Sequence, residues 1–167
     1  MKIAREKLAV EYLSDALIIL MKKMDYKDIS ITKICEKAGV TRMSFYRNYS
    51  SKEDVLKSWI KAITNSFLEE TKISYKGDSS EEYFQKLFSH FKKYANICQL
   101  IYKAGLIYLI KDEFDRVFLE LHKEEYDEYK SYFLAGGVYN IFLLWLIHGC
   151  KESPEELSSR LENLLVT

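Results

Sequence analysis

With 167 residues, the chain is long enough for one ordinary domain or two small ones that share a core. It is 48% hydrophobic with 6 Gly and one Pro, which excludes a disordered or collagen-like chain and favours helices over a turn-rich sandwich. The formal net charge is zero, yet residues 1–60 carry 12 Lys or Arg against 8 Asp or Glu, and the remainder carries 13 against 17. We therefore predict an all-α protein whose first 60 residues are basic and whose remaining residues are acidic. Its partners must be inferred from local patches of charge.

The three cysteines, Cys35, Cys98 and Cys150, show no close pairing, so neither a disulfide framework nor a zinc site is predicted. We expect thiols that are buried in a protein of the reducing cytosol. Charged residues interrupt the apolar stretch within the first 25 positions, which does not match the order of a signal peptide. The prediction is a cytoplasmic protein.

The first predicted helix spans about residues 5–24, where apolar residues recur every three or four positions. Ser30 can cap a short second helix, and Gly39 suits the left-handed position just past its end. Thr41 is a good N-cap for a third helix, so the turn between the second and third helices has three or four residues. This is a helix-turn-helix layout.

In the third helix, Phe45 points back toward the first two helices and leaves polar residues outside, near the N-terminal end. The second helix of a helix-turn-helix enters the DNA major groove with its N-terminus first. An Arg side chain there can donate two hydrogen bonds to guanine, while Ser or Met can contact other base edges or a thymine methyl group. Tyr46, Asn48 and Tyr49 carry donors for phosphate oxygens, and the helix that starts at Lys52 makes an anion site. The pattern predicts a DNA-binding surface, the alternative being solvated polar positions on a small helical subdomain.

The stretch "ITKICEKAGVTRMSFYRNYSSKEDVL" resembles the TetR-like transcriptional regulators, because an A-G-V turn, a tyrosine in the third helix and Ser-Lys-Glu occur at the family's spacing. The resemblance covers about residues 5–57. It implies that Thr32, Arg42, Met43 and Ser44 face bases or the adjoining backbone. Met43 stands where glycine is common, which affects which base is read. The full set of predicted DNA contacts is Ser30, Thr32, Thr41, Arg42, Met43, Ser44, Tyr46, Arg47, Asn48, Tyr49 and Lys52.

Twenty residues without a formal charge, "SYFLAGGVYNIFLLWLIHGC", lie between Lys130 and Lys151. As a helix this segment is long enough to cross a bilayer. Two glycines, Asn140 and His148 dilute its hydrophobicity, so we interpret it as the buried helix of a soluble oligomer and predict no membrane contact. The adjacent glycines let a neighbouring helix approach closely, or alternatively mark a mild kink.

Ser153 is an N-cap with Pro154 at the first helical position and Glu156 three residues on, so a final helix is predicted to run to about Leu165. The stretch "YFLAGGVYNIFLLWLIHGCKESPEEL" resembles the last two helices in a subgroup of these regulators from low-GC Gram-positive bacteria. The resemblance implies that both helices pair with those of a second chain, so that two recognition helices reach an inverted repeat. The predicted dimer interface consists of Gly136, Gly137, Asn140, Trp145, Leu157, Leu161 and Leu164.

Aromatic residues are concentrated in the C-terminal part, since 9 of the 13 Tyr and 7 of the 9 Phe fall at or after residue 75. The resemblance implies a pocket for a small effector there, and aromatic walls suit an apolar or amphipathic molecule. The alternative is that these aromatic residues simply form the hydrophobic core, which would explain the same concentration. The candidate pocket residues are Phe91, Tyr102, Tyr108 and Tyr139.

The competing interpretation is that the protein is an enzyme. A helical di-iron site needs Glu-x-x-His pairs, and none precedes His90, His122 or His148. No phosphate loop, G-x-S-x-G elbow or H-E-x-x-H motif is present either. We therefore predict a protein that is not an enzyme and that has neither a cofactor nor a metal site.

Together, these patterns predict a DNA-binding domain at residues 1–51 and a helical effector-binding and dimerisation domain at 52–167, of which 52–72 is a connecting helix. The predicted function is that of a homodimeric transcription regulator, by default a repressor, that is released from double-stranded operator DNA by a small effector. The alternative is a helical adaptor, or an activator of the same fold without a small-molecule ligand.

Overall fold

The protein is represented by a computed structural model that describes residues 2–71, 80–122 and 126–165. These residues form nine α-helices and one 3-10 turn at Tyr26–Asp28, with no strand among them, which confirms the all-α prediction. The helices are α1 (Lys2–Met21), α2 (Ile31–Ala38), α3 (Arg42–Asn48), α4 (Lys52–Thr71), α5 (Ser80–Lys92), α6 (Ala95–Lys103), α7 (Tyr108–His122), α8 (Glu128–Ile147) and α9 (Pro154–Leu165).

Helices α1, α2 and α3 pack together as an N-terminal helix-turn-helix unit. Leu13 and Leu17 of α1, Ile34 of α2 and Phe45 of α3 are all fully buried. Each fully buried side chain of this size contributes about 1.5–3 kcal/mol relative to an exposed one, so this contact holds the two short helices against the long one. Phe45 therefore fixes which face of α3 turns outward.

The boundaries of α2 and α3 are set by the predicted caps. The Oγ of Ser30 accepts a hydrogen bond from the Lys33 amide at 3.2 Å, and Oγ1 of Thr41 accepts one from the Ser44 amide at 3.1 Å. Gly39 has a φ of 67°, in the left-handed region that a residue with a side chain adopts at a cost. The turn between the helices therefore has three residues, as the sequence predicted.

Helix α4 packs on α1 at one end and on α5 and α7 further along, so it belongs to both halves of the molecule. Beyond it, α5 pairs with α9 and α7 pairs with α8 around a core of aromatic rings. The ring centroid of Phe91 lies 5.4 Å from that of Phe114 and 5.6 Å from that of Phe142. Such ring pairs contribute about 0.5–1.5 kcal/mol each beyond the area they bury. The aromatic residues noted in the sequence are thus mostly core.

By length and composition α8 is apolar enough to cross a membrane, and it is the one helix of the described residues that is. In the fold it packs against α7 and buries seven of its residues. Trp145 is one of these, with 2% of its surface exposed. Its Nε1 donates a hydrogen bond to the carbonyl of Glu152 at 3.1 Å, and its ring lies 5.5 Å from that of Phe88. The polar end of the indole is therefore satisfied within the chain.

Helix α9 begins with the predicted capping box. The Ser153 amide donates to the Glu156 carboxylate at 2.8 Å, and the Glu156 amide donates to Oγ of Ser153 at 3.2 Å. Leu157 and Leu161 are buried on the side of α9 that packs on α5. The assignment of Trp145, Leu157 and Leu161 to a dimer interface was therefore wrong, because the core of their own chain already covers them.

Replacing Trp145 by Ala is expected to lower the free energy of unfolding by about 3–5 kcal/mol, since it removes a buried ring and leaves a cavity. Urea denaturation followed by far-ultraviolet circular dichroism measures this. The matched control is Trp145→Phe, which keeps a ring in place, loses the bond to Glu152 and costs about 1–2 kcal/mol. Unchanged unfolding together with a dissociated dimer in Trp145→Ala would return this residue to the interface.

Candidate nucleic-acid interface

The outer face of α3 is polar and charged apart from one methionine. Arg42, Met43, Tyr46 and Arg47 are all exposed, whereas Phe45 between them is fully buried. The guanidinium carbon of Arg42 lies 5.9 Å from the centre of the Tyr46 ring, one helical turn away. An arginine is charged at any physiological pH, and a hydrogen bond to Tyr46 raises the pKa of Arg42 further. The face therefore offers a cation held by an aromatic ring.

Three further predicted contacts are exposed hydroxyl residues at helix starts. Ser30 precedes α2, Thr32 lies in its first turn, and Thr41 precedes α3. The hydroxyl oxygens of Ser30 and Thr41 accept the capping bonds, and each hydroxyl keeps its own hydrogen for donation. These residues can therefore both cap a helix and donate to a phosphate oxygen.

Ser44 and Asn48 are half-buried and already bonded to each other. The Nδ2 of Asn48 donates to the Ser44 carbonyl at 2.8 Å, and the Ser44 amide is used by Thr41. One amide hydrogen of Asn48 remains for an outside acceptor. The two residues thus stabilise α3 as well as bordering its outer face.

Tyr49 does not lie on this surface, which corrects the sequence prediction. It is buried, its ring centroid lies 5.9 Å from that of Phe45, and its hydroxyl has no hydrogen-bond partner among the described residues. The residue follows the last turn of α3, where its amide donates to the Phe45 carbonyl. Spacing alone could not show that the chain turns it inward.

Lys52 also differs from its predicted role as a phosphate contact. Its ammonium donates to the carbonyls of Tyr26, the first residue of the 3-10 turn, at 2.7 Å and of Ile29, the residue after that turn, at 2.9 Å. The same nitrogen lies 4.1 Å from the centre of the Tyr26 ring. Lys52 therefore ties α4 to the segment before α2, and two of the three ammonium hydrogens that were predicted to contact phosphate are already donated within the chain.

The predicted anion site at the start of α4 is filled by the chain itself. The Asp54 carboxylate accepts hydrogen bonds from the amides of Ser50 at 3.2 Å and Ser51 at 3.0 Å. The Asp54 amide in turn donates to Oγ of Ser51 at 3.1 Å. With Glu53 beside it, this first turn is acidic, which complements the helix dipole and disfavours a second anion.

In the part of the fold where an effector pocket was predicted, a small cavity of about 20 Å³ lies between α4, α5, α7 and α8. Phe91 lies on its wall, and Tyr139 is buried with its ring 6.0 Å from that of Phe114. Tyr102 and Tyr108 were wrong as lining residues, because both are exposed at the surface. The cavity is lined by Thr64, Phe67, Tyr83, Leu87, Phe91, Phe114, Val117, Phe118 and Val138.

Among the described residues that line this cavity, none is Cys, His, Asp, Glu, Lys or Arg. Among residues 2–71, 80–122 and 126–165, no cluster of three or more His, Cys, Asp or Glu is placed to hold a metal ion. Cys35, Cys98 and Cys150 are free thiols. Burial raises the pKa of Cys98 to about 12, so this thiol stays protonated at neutral pH.

The remaining predicted interface residues are accessible. Gly137, Asn140 and Leu164 are exposed and Gly136 is half-exposed. Apart from the backbone of its own helix, a Cβ atom built on either glycine would meet no atom of the described residues within 4 Å, so the contacts seen in the single chain do not require glycine there.

The sequence reasoning missed four apolar residues on the same side of α8. Phe133 is 77% exposed, Leu144 53% and Ile147 51%, and Tyr129 is also exposed. With Gly137 and Asn140, positions 133, 137, 140, 144 and 147 recur at alternating spacings of four and three, which is the spacing of a coiled-coil seam. The heptad spacing of these positions within the uncharged stretch was the feature of the sequence from which an exposed apolar side of α8 could have been predicted.

Replacing Lys52 by Met is expected to lower the free energy of unfolding by about 1–3 kcal/mol, because it leaves the carbonyls of Tyr26 and Ile29 without their charged donor. Thermal or urea unfolding without DNA measures this. Lys57→Met, at an exposed position on the same helix, is the control and should stay within about 0.5 kcal/mol of the wild type. If both variants unfold alike and Lys52→Met alone weakens DNA binding, Lys52 is a phosphate contact.

Comparisons with known proteins agree with this geometry. Residues 13–58 match the family model described as bacterial regulatory proteins, tetR family, and residues 78–167, more than half of the chain, match that of a transcriptional regulator C-terminal region. No match was found among curated proteins.

Two solved structures resemble the fold. A TetR transcriptional regulator from Streptococcus agalactiae 2603V has a TM-score of 0.66 at 21% identity, over 95% of this chain and 94% of that one. The fatty acid degradation regulator FadR from Bacillus halodurans has a TM-score of 0.64 at 20% identity, over 93% of this chain and 96% of that one. The TM-scores show that the fold is shared. The assignment to a family rests on the two family models. The chain belongs to the TetR family of bacterial transcriptional regulators.

Proposed function

We propose that this TetR-family regulator is a cytoplasmic homodimeric repressor, which binds an inverted-repeat operator and is released by a small apolar or amphipathic effector. The observation that carries the proposal is the outer face of α3, where Arg42 and Arg47 are exposed beside an exposed aromatic ring. The charge excess of 12 Lys or Arg over 8 Asp or Glu in residues 1–60 supports it, because phosphate attraction supplies most non-specific affinity.

The dimer is proposed to form through the α8 seam, defined here as residues 133, 137, 140, 144 and 147. Three of these positions are large apolar side chains that are more than half exposed, on a helix whose opposite side is buried in its own chain. A contiguous apolar stripe of this kind marks an interaction surface. A second copy of the same stripe is self-complementary around a two-fold axis, and Gly137 lets the two helix backbones approach.

Two-fold symmetry also provides what DNA recognition requires. A single short recognition helix reads only a few base pairs, whereas a dimer presents two of them to major grooves that lie about 34 Å apart or a multiple of that distance. The proposed operator is therefore an inverted repeat, and the spacing between its half-sites depends on the angle at which α4 leaves each helix-turn-helix unit.

The effector is proposed to enter the ring-lined cavity beside α4. A volume of about 20 Å³ is enough for about one water molecule, so any organic effector must displace side chains such as Phe91 and Phe114. Thr64 and Phe67 of α4 belong to the same wall. Repacking around a ligand would thus push on the helix that positions the DNA-binding unit, which couples the two sites.

Replacing Arg42 by Ala is expected to weaken operator binding by about 5- to 150-fold for each of the two half-sites, because a bidentate contact to a base is worth about 1–3 kcal/mol. The operator is first obtained by in vitro selection from random duplexes, and affinity is then measured by fluorescence anisotropy at two salt concentrations. Lys151→Ala removes the same charge from the turn after α8 and should bind like the wild type. A selection that enriches no sequence contradicts the DNA-binding function, and the same fold would then be a helical adaptor.

Replacing Leu144 by Glu is expected to raise the dimer dissociation constant at least about 100-fold, because each of two symmetric positions would bury an unpaired carboxylate. Analytical ultracentrifugation over a concentration series measures this. Tyr102→Glu, at an exposed position on α6 that is not one of the seam residues, is the control and should leave the dimer intact. Equal dissociation constants for both variants and the wild type would exclude the α8 seam as the interface.

A further inference from the structure

Met43 is the most exposed large apolar side chain among the described side chains of α1, α2 and α3, with 75% of its surface accessible. At about 100° per residue along a helix, position 43 lies about 160° from position 45 around the axis. Since Phe45 is fully buried, Met43 points almost directly away from the core. It also lies in the first turn of α3, the end that enters a major groove.

Its neighbours leave Met43 as the outermost group of that turn. Arg42 lies about 60° from Phe45 around the axis and leans toward the Tyr46 ring, 5.9 Å away. Ser44 is half-buried and its amide is taken by the Thr41 cap. No described element of the chain covers Met43 itself, so its flexible, polarizable thioether is free to adapt to an outside surface.

The major groove offers one apolar group among the four base pairs, the C5-methyl of thymine. We propose that Met43 reads a T·A base pair in each operator half-site by packing its thioether on that methyl group. This inference rests on the proposed function and names the chemistry of one position in the proposed operator. Arg42 would contribute a separate contact beside it, so the two side chains read different features of the same half-site.

The proposal predicts an effect that depends on a methyl group alone. Replacing thymine by uracil removes the C5-methyl and keeps the base pair, its hydrogen bonds and its charge. For the wild type, uracil at the position read by Met43 should weaken binding about fourfold in one half-site and about fifteenfold in both, as expected for the loss of about one buried methylene equivalent per site. Met43→Ala should be weaker on the thymine operator and insensitive to the exchange.

The experiment uses the operator obtained by selection and scans each thymine of a half-site with uracil, for the wild type, Met43→Ala and Arg42→Ala. Arg42→Ala should bind more weakly overall and keep the sensitivity to uracil, which separates a methyl contact from general loss of affinity. A cytosine at the sensitive position should weaken wild-type binding, and 5-methylcytosine should recover part of it.

Two results overturn the inference while the DNA-binding function stands. One is a wild type that tolerates uracil at every position, and the other is a Met43→Ala variant with the same sensitivity as the wild type. A protein that selects no sequence and binds all duplexes equally would instead overturn the proposed function and the inference with it. Because Met43 is exposed, Met43→Ala should unfold like the wild type, which circular dichroism verifies.

Discussion

The bonds from the Lys52 ammonium to the carbonyls of Tyr26 and Ile29 fix where α4 leaves the helix-turn-helix unit. The same helix then runs for 20 residues, about 30 Å, past α1 and on to α5 and α7. A rigid rod anchored at one end to the DNA-facing unit and at the other to the aromatic core connects the two halves mechanically. Its anchor is made by a side chain and two backbone carbonyls, so the tie does not depend on the residues that face outward.

The parts of the fold that follow from local rules were predictable. Ser30, Thr41 and Ser153 are caps because their short side chains can reach amides three residues on, and Gly39 ends α2 because it adopts a positive φ without strain. Phe45 was assigned to the core from helical spacing. These signals involve residues within one turn of each other, which is why a single sequence is enough to locate the helix-turn-helix.

Several unpredicted features concern residues whose surroundings are distant in sequence. Helix α8 is apolar on most sides, so the heptad spacing of some of its residues does not by itself show that Trp145 faces its own core and that Leu144 faces outward. The bonds that Lys52 makes within the chain were not predicted, because its acceptors lie 26 and 23 residues earlier in the sequence. Tyr102 follows the same helical spacing as a lining residue would, yet its side of α6 faces solvent. Only tertiary packing decides such positions.

The two faces of α3 are kept apart, with Phe45 and the caps on one side and Met43 and Arg47 on the other. Substitutions at exposed positions usually change stability by about 0.5 kcal/mol or less, so the outer residues can be exchanged while the fold persists. Single codon changes at these outer positions can therefore alter the DNA sequence that the protein prefers while the fold is kept. A duplicated copy of the gene can acquire a new target sequence without first passing through an unfolded intermediate, which makes this short helix the evolvable part of the molecule.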